Sequence, residues 1–172
     1  MVLAALLTLL AVGHPPAIDS ARPETGPRTG ALVADRIVVE KGRHRLTLYR
    51  AGRPVRTYSV ALGANPVGDK ERAGDKRTPE GVYTIDQRVA QSQYHLALHI
   101  SYPDSAHRAR AARRGESPGG DVMIHGLPNG QGYVGAAHRE YDWTFGCIAV
   151  TDAEIEEIWR SVRVGTRIEI RP

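Results

Sequence analysis

Apolar and polar residues alternate along most of the chain in short stretches, each ended by a turn rich in glycine, proline or charge, which is the rhythm of half-buried β-strands. Leu46 and Leu48 share one side of a predicted strand at 45–49, and Tyr58, Val60 and Leu62 share one side of the next at 55–62. A strand at 36–40 precedes them, set off by Lys41-Gly42-Arg43, while Ala51-Gly52-Arg53 separates the pair. Residues 65–78 read as loop and close with Pro79-Glu80-Gly81, after which strands are predicted at 81–89, 94–102, 121–125, 147–150 and 167–170. Two helices break the series. One spans 103–114 and stops at Gly115, a residue suited to the left-handed turn that ends helices. The other begins at Thr151, whose spacing from Glu154 is that of a capping box, and reaches Ser161 with Ile155, Ile158 and either Trp159 or Val162 facing inward. The expected fold class is mainly β with a few helices, antiparallel for the most part. No glycine pattern follows a strand in the spacing that cradles phosphate.

The start of the chain lacks this rhythm. Residues 1–13 carry no charge and hold an apolar run at 2–12, the length of a signal-peptide core rather than of a bilayer span. Ala11-Val12-Gly13 offers small residues for a peptidase to read. The segment has no basic start, so a short uncleaved anchor and a buried helix stand as alternatives to a signal peptide. Residues 14–30, rich in proline, glycine, threonine and arginine, read as a flexible tether, which leaves 31–172 as one domain. The expected location is the periplasm or cell wall, with membrane contact only through the first segment if it is retained. The net charge of +4 rests almost wholly on arginine, since the only lysines are Lys41, Lys70 and Lys76. That charge suits an anionic wall polymer. Nucleic acid is not an expected partner, because no basic run is interleaved with stacking aromatics. Arg108, Arg110, Arg113 and Arg114 cluster on the predicted helix at 103–114, either as a solvated face or as an anion-binding patch.

Cys147 is the only cysteine. In an exported chain it has no partner for an internal disulfide, and an idle thiol is a liability in an oxidising compartment. A small buried hydrophobe is the other reading of it. As a nucleophile it needs a base, because a thiol of ordinary pKa, about 8.5, is mostly protonated at neutral pH. His125 is the candidate: it ends one predicted strand while Cys147 begins another, and neighbouring strands can bring those ends together. Gly146 has no β-carbon to hold a substrate carbonyl away, so the amides of Gly146 and Cys147 can face a developing oxyanion, with a plain turn glycine as the alternative. A metal reading rests on His95 and His99, four apart on a predicted strand, with Cys147 or His125 completing the set. Neither a close pair of cysteines nor a His-Glu-x-x-His helix supports it, and no metal or other cofactor is expected.

The run Val122-Met123-Ile124-His125-Gly126, followed by Trp143-Thr144-Phe145-Gly146-Cys147-Ile148-Ala149-Val150, resembles the paired His-Gly and Ser/Thr-x-Gly-Cys motifs of the L,D-transpeptidase (YkuD-like) catalytic domain. Leu46-Thr47-Leu48-Tyr49, Val60-Ala61-Leu62-Gly63 and Thr78-Pro79-Glu80-Gly81-Val82-Tyr83 look like the same family's upstream signature, so the resemblance covers 35–170. It implies a β-sandwich or barrel-type catalytic domain. It also implies a cysteine that attacks peptidoglycan stem peptides at the bond between diaminopimelate and D-alanine, then passes the acyl group to an amine, a wall-attached protein amine among the options. Carried onto this chain, it makes Cys147 the nucleophile, His125 the base and the Gly126 backbone carbonyl the group that orients the base, with Asp121 or Asp142 as acidic alternatives. A carbapenem is expected to acylate Cys147.

Two positions depart from the common pattern: Phe145 stands where many members have His, and Ala149 where many have Arg or Asn. The loop between His125 and Thr144 is also a little longer. The run Trp-Thr-x-Gly-Cys-Ile-Ala-Val is similar to the YafK-type subgroup, and it leaves the acyl acceptor open. Hydrolysis of the same acyl-enzyme, as a carboxypeptidase or amidase, is one alternative to transpeptidation; a non-catalytic wall-binding module is another. Substrate contacts are expected from Tyr133, Trp143, Thr144 and Phe145, with Arg108 and Arg110 supplying charge if their cluster lines the cleft.

Overall fold

Alternating β-branched and long apolar side chains are stable as strands only when one face is covered. The computed structural model describes residues 32–172; the expectations for 1–13 and 14–30 lie outside them. Eight strands form one sheet: β1 (Arg36–Glu40), β2 (Arg45–Arg50), β3 (Arg53–Ser59), β4 (Gly81–Ser92), β5 (His95–Ile100), β6 (Met123–His125), β7 (Ile148–Ala149) and β8 (Arg167–Arg171), in the order β3-β2-β1-β8-β4-β5-β6-β7. Neighbours are antiparallel except β1 with β8 and β6 with β7. Two helices, α1 (Ser105–Arg113) and α2 (Asp152–Ser161), accompany 3₁₀ stretches at Lys41–Arg43 and Gly132–Glu140. Among the described residues no helix is long and apolar enough to cross a membrane.

Inward-facing strand positions carry Ile37, Val39, Leu46, Leu48, Ile85, Leu98 and Ile100, and α2 adds Ile155 and Ile158, followed by Val162; all are fully buried. Each such side chain contributes about 2 kcal/mol relative to exposure. Trp159 takes the edge of this layer, partly buried beneath the Arg88 guanidinium at 4.2 Å. Thr151 and Glu154 form the capping box of α2. The Asp104 carboxylate caps α1, and Gly115, with φ +66°, follows its last turn.

Four expectations need correction. The strand predicted at 55–62 stops pairing with β2 at Ser59, and residues 60–63 leave for the opposite end of the sheet. The strands predicted at 121–125 and 147–150 shorten to β6 and β7, Asp121 having turned to φ +53°. The stretch Gly132–Glu140, read as loop, contains 3₁₀ turns broken at Gly135, and three-residue turns leave no apolar periodicity to detect.

The sheet curls until its ends meet. Beyond its pairing with β6, Ala149 of β7 exchanges both backbone hydrogen bonds with Ala61, at 3.0 and 2.8 Å. Thr144 N–H donates to Leu62 O (3.1 Å) and Ala64 N–H to Thr144 O (2.9 Å), which extends the seam to the residues before Cys147. Behind it the 65–80 loop is pinned by buried Lys41, whose ammonium donates to Gly68 O (2.6 Å), Thr78 O (3.0 Å) and the Glu80 carboxylate (2.8 Å). Gly63 lies where loop and seam touch: a β-carbon there would overlap the Lys76 carbonyl and come within 3.1 Å of Gly146 Cα. Both neighbours are backbone, so no flexible side chain can yield. Gly63→Ala is therefore expected to cost roughly 3 kcal/mol by overpacking, read as a lower urea midpoint by circular dichroism. Parental stability in that variant would mean that the seam gives way easily.

Candidate active site

Parallel pairing of β6 with β7 sets Ile124 opposite Ile148 and His125 opposite Ala149. One residue back in the same register, Met123 faces Cys147. Side chains two apart on a strand share a face, so His125 and Cys147 emerge diagonally on one face while Ile124 and Ile148 enter the core on the other. On β5, Ala97 continues the row of His125 and His99 the row of Met123.

His125 is only 3% exposed. Its Nδ1–H donates to Gly126 O at 2.7 Å; a carbonyl can only accept, so the proton resides on Nδ1 and Nε2 keeps its lone pair. Tyr94 packs on the ring at 4.4 Å between centroids, and Trp143 meets it edge-on at 5.8 Å. Burial draws the imidazole down from 6.5 to about 4, opposed by the bond to Gly126 and reinforced by His138. The half-buried Cys147 thiol donates to Asp121 O at 3.5 Å. Burial pushes this thiol up, with the Met123 amide and the Lys70 ammonium opposing and the Asp121 carboxylate adding to the rise. Both groups thus rest neutral, the thiol protonated and the imidazole without its second proton.

Thr144 ties the turn that carries Cys147. Its buried hydroxyl accepts the Gly146 N–H (3.1 Å) and donates to Cys147 O (2.8 Å). The Gly146 amide, expected to face an oxyanion, is therefore occupied inside the turn, as is the Thr144 hydroxyl expected to face substrate. Gly146 has φ +129°, and a β-carbon on it would lie 2.6 Å from Arg77 O, so this position admits only glycine.

The remaining predicted contacts spread out. Phe145 (75% exposed) lies beneath the Lys76 ammonium at 5.7 Å, and Tyr133 (87% exposed) stands in solvent on the 3₁₀ stretch. Trp143 borders a cleft of about 170 Å³ with Leu127, Pro128, Gln131, Val134, His138 and Tyr141. Arg108 donates to the Pro103 carbonyl just ahead of its own helix, and Arg110 binds Asp69 at 2.8 Å beside His107, which joins α1 to the 65–80 loop rather than to the thiol or imidazole. Asp142 is engaged elsewhere, accepting Leu62 N–H (2.7 Å) and pairing with His44 (2.9 Å). His95 pairs with Glu156 and His99 with Asp86, and among the described residues no three His, Cys, Asp or Glu side chains are grouped to hold a metal ion.

Three neighbours of the site were not singled out from the sequence. Tyr94 packs on the His125 ring, and Asp152 accepts the Leu127 N–H at 2.8 Å just beyond it. Lys70, 3% exposed, is ion-paired with Asp75 at 2.7 Å, its Nζ 3.8 Å from where a Gly146 β-carbon would be. The scarcity of lysine in an arginine-rich chain was the one signal that marked Lys70.

The family model described as the YkuD L,D-transpeptidase catalytic domain matches residues 34–170. YafK of Escherichia coli K12, a candidate L,D-transpeptidase, is 29% identical over 108 residues, which cover 62% of this chain and 36% of YafK. Pgp2 of Campylobacter jejuni, a helical cell shape determining protein, superposes with a TM-score of 0.60 at 22% identity over 80% of this chain and 47% of Pgp2. Bd1075 of Bdellovibrio bacteriovorus gives 0.54 at 23% over 83% and 49% of the two chains, and an L,D-transpeptidase of Mycobacterium smegmatis 0.53 at 15% over 81% and 59%. The chain spans little more than a third of YafK and about half of Pgp2 and Bd1075. Matched by the family model over most of its length, and sharing its fold with solved L,D-transpeptidases, the chain belongs to the L,D-transpeptidase catalytic domain (YkuD) family.

Proposed function

We propose that this domain is a cysteine acyltransferase of the cell wall, exported to work there. It cleaves the diaminopimelate–D-alanine bond of a peptidoglycan stem peptide through a thioester on Cys147 and passes the acyl group to an amine of another stem peptide or of a wall-attached protein. One contact carries the reading: His125 Nδ1–H donating to Gly126 O at 2.7 Å, which leaves Nε2 as a base on the face where Cys147 emerges. Family membership supports the substrate class.

Because both partners rest neutral, the thiol proton moves to Nε2 as sulfur attacks the carbonyl carbon, with no ion pair stored beforehand. Charge growing on the carbonyl oxygen is met by the Cys147 N–H, since Thr144 holds that of Gly146. The C–N bond then breaks and Nε2 returns its proton to the departing D-alanine nitrogen. A base of low pKa is a poor store for a proton and gives it up readily at this step. The acceptor amine attacks the thioester, its proton passes to Nε2 and on to the sulfur as the C–S bond breaks, and water in its place yields hydrolysis.

Incubation with purified muropeptides, followed by mass spectrometry, tests the assignment. Cys147→Ala is expected to form no product, Cys147→Ser at most a trace, and His125→Ala about 10³-fold less or lower. Turnover by Cys147→Ala sinks the proposal, and a product that has only lost D-alanine, with no new amide, replaces transpeptidation by hydrolysis. A carbapenem should add a covalent mass that Cys147→Ala loses.

Stability should also report the burial of the base. The folded-state value of about 4 lies below the ordinary 6.5, so between these values the unfolded chain binds the extra proton. The contribution is complete above pH 6.5 and is lost as pH falls toward 4, by about 3 kcal/mol. Urea unfolding at pH 7 and pH 4.5 should show a steeper loss in the parent than in His125→Gln, and equal losses would contradict a neutral buried imidazole.

A further inference from the structure

The Gly126 carbonyl that accepts the His125 proton and the Leu127 N–H that donates to Asp152 Oδ1 are the two ends of one peptide group. The two hydrogen bonds, 2.7 and 2.8 Å long, therefore run in series from imidazole to carboxylate. Glycines make the approach possible: a β-carbon on Gly126 would come within 2.7 Å of Asp152 Oδ1, and one on Gly132 would overlap Oδ2. Asp152 opens α2, where the helix N-terminus favours a carboxylate and α2 anchors it against the sheet.

We propose that Asp152 is a positioning residue for the base, acting on His125 through the peptide group that joins Gly126 to Leu127. The inference rests on the reading of His125 as the base of Cys147. A negative charge on the N–H side of a peptide shifts electron density toward its oxygen, so the Gly126 carbonyl becomes a stronger acceptor for Nδ1–H. That favours the imidazolium formed when Nε2 takes the thiol proton, and the same bond fixes the plane of the peptide and hence the ring. A carboxylate touching the imidazole directly does this in Ser-His-Asp sites; here one peptide group stands between.

The other groups around the ring do not supply this. Tyr94 and Trp143 are uncharged aromatic neighbours, His138 works against a positive imidazole, and the Cys147 thiol is the proton donor. Farther along α2, Glu154 is paired with Arg139, and Glu156 with His95 and Arg160.

Alkylation of Cys147 by iodoacetamide, followed by mass from pH 5 to 9, tests the inference without a substrate. Asp152→Asn keeps an oxygen for the Leu127 N–H and removes only the charge. The expected result is a roughly 3- to 10-fold slower reaction at pH 7, with Asp152→Ala slower still. An Asp152→Asn profile superimposed on the parent overturns the proposal and leaves Asp152 a helix-end residue. If either variant melts far below the parent, NMR of the unmodified protein decides. At pH 7, where the imidazole is neutral, the Leu127 amide and the His125 Nδ1–H should both resonate downfield and exchange slowly with solvent, and a fast-exchanging Leu127 amide overturns the inference. A slower alkylation profile without any muropeptide product would keep this inference and reject the acyl-transfer reading.

Discussion

β7 has two residues, and both of its edges are used: β6 pairs with it in parallel, and Ala61 closes on it from the far end of the sheet. So short a strand cannot hold a position by its own hydrogen bonds. It is held because the backbones of Gly63, Gly146 and the Lys76–Arg77 pair lie against one another with no side chains between them. Contact of backbone on backbone has no rotamers to relax into, so the turn from Thr144 to Cys147 is rigid. The curl of the whole sheet is thus a condition of the site, since the bridge between residues 61 and 149 joins the two ends of the strand order.

Within that frame, desolvation decides the charge state of both reacting groups. It raises the thiol and lowers the imidazole, two displacements that each favour the neutral pair. Lys70 is the positive group that opposes this at Cys147, yet its ammonium is bound to Asp75, so Sγ feels a partly cancelled field rather than a bare charge. A protonated thiol is less open to oxidation than a thiolate.

How much of this was legible depends on the range of the interaction concerned. The bounds of β1 and the capping box of α2 were readable because alternation and a three-residue spacing are local properties. Cys147 and His125 were readable as candidates from residue type and motif, but their diagonal placement is a matter of register between strands, which local pattern does not encode. Residues 60–63 kept the alternation of β3 while their partners changed, so the strand was drawn too long. Asp152 carried no signal in the sequence, because the hydrogen bond that brings it near His125 goes to a peptide group 25 positions away in the chain.

The arginine cluster shows the same limit from the electrostatic side. Charge counted along the sequence made Arg108 and Arg110 candidates for holding an anionic substrate, yet Arg110 and His107 converge on Asp69, and Arg114 binds Glu116 and the Glu71 carbonyl. These bonds brace α1 against the 65–80 loop, the same loop whose Lys76–Arg77 backbone supports Gly146. Neutralising the cluster would therefore disturb the turn that carries Cys147 from behind. At the front of that turn the side chains left open are Phe145 and the Lys76 ammonium above it. An aromatic face with one cation offers apolar contact together with a single, solvent-screened charge. Ala149, buried in the row of His125, adds no charge of its own. Under the acyl-transfer proposal, recognition beside Cys147 rests more on shape and apolar contact than on paired ions, which is the physical content of the two departures from the common motif.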